Sequence, residues 1–168
     1  GWLHPLTGPD HMLAMLAVGA WSAKLGGAAI YKVPSAFVCA MVAGGIAALN
    51  HWPLPGAEII IAASVLTLGL AIAMDRRLAL PLAAVATALF GLAHGSAHGS
   101  EFPQTADAVS YVVGFLVTTA GLHVAGVVAG LLLLERQKGR TWLRTAGAAA
   151  ALAGCILLGA VAGSRISL

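Results

Sequence analysis

The sequence predicts an all-α integral membrane protein, a bundle of six transmembrane helices with the N and C termini outside. Three observations carry this expectation. Of 168 residues, 60% are hydrophobic and only 9% are charged, where a soluble domain carries about 25% charged residues. With a mean hydropathy of +0.92, the chain cannot cover itself with polar surface in water. Its apolar residues fall into six runs rich in Ala and Leu, without the alternation of a barrel strand. In lipid, helices and closed barrels alone satisfy every backbone polar group. Eight of the nine Lys and Arg, finally, fall at or next to alternate breaks between the runs.

The runs cover about residues 9–23, 34–49, 57–74, 78–97, 108–134 and 142–163, one transmembrane domain over 1–168. The first opens with Pro9 at its first position and Asp10 in its first turn, which suits a helix N-terminus. Thr7-x-x-Asp10 also has the form of a capping box. Cys39 in the second run and Cys155 in the sixth read as small hydrophobes within helices. Several runs fall short of the roughly 20 residues that span a core of about 30 Å; local thinning and interfacial side chains accommodate that. The fifth is long enough to tilt or to extend past the bilayer. Gly91, Gly95 and Gly99 in the fourth run, Gly126 and Gly130 in the fifth, and Gly159 and Gly163 in the sixth stand at G-x-x-x-G spacing, which lets helix backbones approach closely.

The breaks give the orientation. Lys24 and Lys32 follow the first run, Arg76 and Arg77 the third, and Arg136, Lys138, Arg140 and Arg144 the fifth. The other two breaks hold no Lys or Arg, and Arg165 in the tail completes the nine. Positive-inside then places the basic breaks in the cytoplasm. This accounts for the net charge of +3 without nucleic acid as a partner. An outside N-terminus fits a chain whose export signal has been removed.

Two polar clusters break the apolar pattern, and this topology brings both to the outer face. The first holds His4, Asp10 and His11, stiffened by Pro5 and Pro9. The second holds His94, His98 and Glu101. His94 and His98 are four apart and share a helix face; Glu101 joins that face if the helix continues. His123 lies deeper, near the middle of the fifth run. Imidazole nitrogen suits Ni, Co, Zn and Cu, and ionisable groups within a membrane span mark function by default. The same residues also have plainer readings. Asp10 serves as a capping carboxylate, and His4 and His11 as interfacial side chains. His94 and His98 serve as a buried pair bonded to carbonyls, and His123 as an interhelical hydrogen-bonding residue. Met12 and Met15 read as packing, and His51 as a boundary residue. There is no P-loop, no H-E-x-x-H and no nucleophile motif, so an enzyme is not expected.

His4-Pro5-x-x-Gly8-x-Asp10-His11, followed by Met15-x-x-Val18-Gly19, resembles the first-helix signature of the HupE/UreJ family. Phe90-Gly91-x-x-His94-Gly95-x-Ala97-His98-Gly99-x-Glu101 resembles its second motif. These are small bacterial membrane proteins associated with nickel supply to hydrogenase and urease, some of them linked to cobalt. The resemblance covers nearly the whole chain. It implies a multi-pass protein of the bacterial inner membrane with a metal role on His4, Asp10, His11, His94, His98 and Glu101. Combined with the residue reading, which adds His123 as a deeper relay, the expectation is an ATP-independent permease for Ni(II) or Co(II), with zinc also compatible. The expected partners are the lipid bilayer and the ion itself, with no prosthetic group. Self-association is left open. So are two other classes: a channel for a small solute such as urea or ammonia, and a membrane metalloenzyme or assembly protein that retains its metal.

Overall fold

Short polar breaks between apolar runs leave each run to close its own backbone hydrogen bonds, and it does so as helix. The computed structural model describes residues 8–75, 77–102 and 107–166. Among the described residues there are α1 (Pro9–Leu25), α2 (Ala29–Leu49), α3 (Ala57–Ala73), α4 (Leu80–Ser100), α5 (Ala108–Leu134) and α6 (Gly139–Ile166), and no strand. Helices α2, α4, α5 and α6 are long and apolar enough to cross a membrane, and α3 is a shorter apolar helix.

Several boundaries differ from the sequence expectation. Helix α2 begins at Ala29 and runs through Pro34 instead of starting there. Proline has no N–H, so the Ile30 carbonyl loses its helical donor; the Ser22 hydroxyl oxygen stands 3.5 Å from it. Helix α4 continues to Ser100, which keeps His98 helical, and α6 starts earlier and ends later than the apolar run. Helix α1 stops where Gly26, at φ 76°, takes a conformation open to glycine.

The helices pack in pairs: α2 along α4, α3 along α6, and α1 along α5. Small residues make each pairing close. A Cβ on Gly91, Gly95 or Gly99 of α4 would strike the α2 backbone at Phe37, Met41 and Gly45. Gly126 of α5 likewise meets Leu16 of α1. The expected pair Gly159 and Gly163 does not act this way, since an added Cβ would meet nothing within 4 Å. Instead α6 approaches α3 through Gly147 and Gly154. Between the pairs lies a core that includes Met15, Val18, Trp21, Phe37, Met41 and Leu68. Outward faces carry exposed Leu82, Leu89, Val124, Leu132, Leu152 and Ile156, a surface that fits a lipid bilayer.

The two ends of the bundle differ in chemistry. At one end the Leu54 N–H donates to the Ser96 hydroxyl at 2.7 Å, tying the α2–α3 turn to α4. At the other, Lys24 is no loop charge: it lies in the last turn of α1 and is buried. Its ammonium donates to the Ile72 carbonyl and pairs with Asp75 at 2.8 Å. Arg140 reaches the same carboxylate at 3.6 Å, and Arg144 Nε donates to the Ala73 carbonyl at 2.9 Å. The C-terminal carbonyls of α3 thus receive cationic donors, as a helix C-terminus favours. The Lys24 hydrogen bond and charge hold the Asp75 carboxyl below its usual range. Arg76 lies outside the described residues.

Candidate functional site

Helix α1 starts from Gly8, whose extended backbone supplies the N-cap without a side chain. Asp10 is therefore left to another partner. Its Oδ1 accepts from the His11 backbone N–H at 2.9 Å and from His11 Nδ1 at 2.8 Å. A carboxylate only accepts, so Nδ1 carries the proton, and in the neutral form of the ring the lone pair falls on Nε2. That nitrogen is buried and has no hydrogen-bond partner among the described residues.

His94 repeats the arrangement with a different acceptor. One helical turn back along α4, the Phe90 carbonyl accepts from His94 Nδ1 at 2.8 Å. A carbonyl cannot donate, so here too the lone pair falls on Nε2, again buried and unpartnered. Burying an imidazole nitrogen in apolar surroundings without a partner is costly. Two at one place, each oriented through Nδ1, match the way histidine ligands are held by an outer acceptor.

The rings lie together. His11 is 5.0 Å from His94 and 4.4 Å from His98 between ring centroids. Phe37 of α2 stands 5.0 Å from His94 and 5.0 Å from His123, and Phe115 of α5 stands 4.3 Å from His98. Histidines from α1, α4 and α5 thus form one column, with Phe37 linking His94 to His123 and Phe115 lying against His98. His94, His98 and His123 are all buried. His123 also lines a groove of about 500 Å³ between α2 and α5.

Not every residue singled out from the sequence joins the column. Helix α4 ends at Ser100, and Glu101 is its C-cap, exposed, with its N–H still donating to the Ala97 carbonyl at 3.1 Å. His4 lies outside the described residues. Met15 is fully buried in the core, as packing would have it. His51 is exposed, in a left-handed conformation at φ 66°, just beyond α2. Among the described residues, no three His, Cys, Asp or Glu side chains already converge on one ion position. The rings meet edge and face instead, at 83° for His11 and His94. Phe37 and Phe115 had no signal in the sequence, being apolar residues in apolar runs. Thr119, fully buried, had one: it is a polar residue one turn before His123.

The family model described as HupE / UreJ protein matches residues 1–157. Protein HupE of Rhizobium leguminosarum bv. viciae is 45% identical over 159 residues, which cover 94% of this chain and 82% of that protein. No solved structure matches the chain. Two histidine motifs that fold into one column, a helical bundle with apolar outer faces, and a family match along nearly the whole length lead to one conclusion: the chain belongs to the HupE/UreJ family.

Proposed function

We propose that the chain is an ATP-independent permease that imports Ni(II) or Co(II) across the bacterial inner membrane. It crosses six times with both termini outside. Helices α1 and α3, of 17 residues each, extend about 26 Å at 1.5 Å per residue; a slightly thinned bilayer accommodates them. The nickel and cobalt assignment follows the association that the family resemblance implies.

The observation that carries the reading is the pair of buried Nε2 atoms on His11 and His94, each oriented through Nδ1. An arriving ion exchanges water for these nitrogens and for His98. Asp10 keeps His11 in the ligating tautomer, and its negative charge favours the ion nearby. His4 and Glu101 act at the entrance, and His123 receives the ion next. Drawing the nitrogens onto one point requires the rings to turn about χ2, a soft torsion for histidine. Binding strips the water yet stays weak enough for release. The membrane potential drives entry with about 2.3 kcal/mol per charge per 100 mV, and about twice that for a divalent ion.

The test is metal flux into proteoliposomes for wild type, His11→Ala and His94→Ala. Each variant is expected to lose most Ni(II) or Co(II) flux. Wild-type flux in both sinks the site. Stoichiometric binding without flux favours a protein that retains its metal, and chelator-insensitive solute flux favours a channel.

A further inference from the structure

Resting on the permease reading, the structure assigns a second, inner position for the ion to Thr119 and His123 of α5. These residues are four apart and share a helix face. Both point into the protein, at 0% and 2% exposure. Thr119 Oγ1 and both ring nitrogens of His123 have no hydrogen-bond partner among the described residues.

The threonine is the more telling of the two. A hydroxyl inside an apolar helix ordinarily bonds back to a carbonyl in the preceding turn. Thr118 does so to Gly114 at 3.0 Å, and Thr87 to Ala83 at 2.9 Å. Thr119 makes no such bond. Its oxygen and the His123 ring nitrogens are therefore open to the same visitor.

Position along α5 gives the site its place in the path. Phe115 stands against His98 at the outer cluster. Thr119 and His123 follow at one and two turns, so His123 lies about 12 Å deeper along the helix axis. Phe37 touches both His94 and His123, which makes its ring the boundary between the two positions.

The donor set fixes the ligand class. One imidazole nitrogen and one neutral hydroxyl suit a borderline divalent transition ion better than Mg(II) or Ca(II). Without a carboxylate the position binds more weakly than the outer one. An ion held loosely one step inward from a tighter station is what net passage requires.

The experiment is equilibrium binding of Ni(II), together with Co(II) absorption titration, on the purified full chain in lipid nanodiscs. Wild type is expected to show a tighter and a weaker class of ion. Thr119→Val and His123→Gln should weaken the second class about tenfold or more and leave the first intact. Thr119→Ser, which keeps the hydroxyl, should retain both classes, and His94→Ala should remove the tighter one. A single class in wild type, or an unchanged weaker class in Thr119→Val, overturns the inner site and gives those atoms to buried water. Loss of the weaker class in Thr119→Val beside an intact tighter class in His94→Ala keeps the inner site and removes the outer one.

Discussion

Asp10 shows how one side chain can change meaning between motif and fold. In the sequence it offers itself as a ligand or as a cap. In the structure Gly8 is the N-cap, and the carboxylate is engaged by the backbone N–H and Nδ1 of His11. In the proposed site it acts through the histidine. Asp10→Asn keeps an oxygen acceptor but removes the charge that makes His11 a better donor to metal. Nickel affinity is expected to fall about 10- to 100-fold, read by equilibrium titration; an affinity within about twofold of wild type would assign Asp10 elsewhere. The imidazoles also set the direction of the pH response. A protonated ring cannot ligate, so metal affinity should fall as the pH is lowered far enough to protonate the rings. Affinity that never falls at any acid pH at which the chain stays folded would argue against nitrogen ligands.

Helix pairing depends on glycine only where backbones touch. Gly95→Ala would drive a methyl into the Met41 carbonyl of α2. Overpacking of this kind destabilises by about 1–3 kcal/mol, and here the obstacle is backbone, which has little room to yield. A clear fall in melting temperature in detergent is expected. Gly159→Ala has open space around it and should lie within about 0.5 kcal/mol of wild type. Equal melting of the two variants would remove the α2–α4 contact as a determinant. At the opposite end, Asp75 ties the end of α3 to Lys24. Its folded carboxyl titrates lower than in the unfolded chain because Lys24 bonds to it. The stabilisation is therefore present above the unfolded carboxylate value of about 3.9 and is lost as pH falls through the lower folded value. For a half-exposed carboxylate it amounts to at most about 1 kcal/mol. The melting difference between wild type and Asp75→Asn should be full at pH 6 and shrink toward pH 3; a constant difference would point to another role.

Over the whole molecule, the ends are chemically distinct: Lys24, Asp75, Arg140 and Arg144 meet at one, and the His11 and His94 cluster lies toward the other. Orientation can be read by thiol labelling in a chain whose Cys39 and Cys155 are replaced. Pro55→Cys, in the α2–α3 turn, should react with an impermeant reagent added to intact cells. Gln137→Cys, between α5 and α6, should react only after permeabilisation. The reverse pattern would turn the permease around and put the histidine cluster on the cytoplasmic side.

The sequence by itself determined the membrane class, the helical nature of the chain and the two histidine motifs. These are local properties: composition, run length and the spacing of residues on one helix. Even the boundaries it misplaced, at Pro34 and at Ala97, lie within a turn or two of where the chain changes. Tertiary structure alone decided which helices pair, that Phe37 stands between His94 and His123, and that Lys24 is buried on Asp75. Those outcomes join residues far apart in the chain through backbone contact and ring packing. No pattern along the sequence encodes a distance across the bundle, so His11, His94 and His98 could announce histidine chemistry but not what would lie against it.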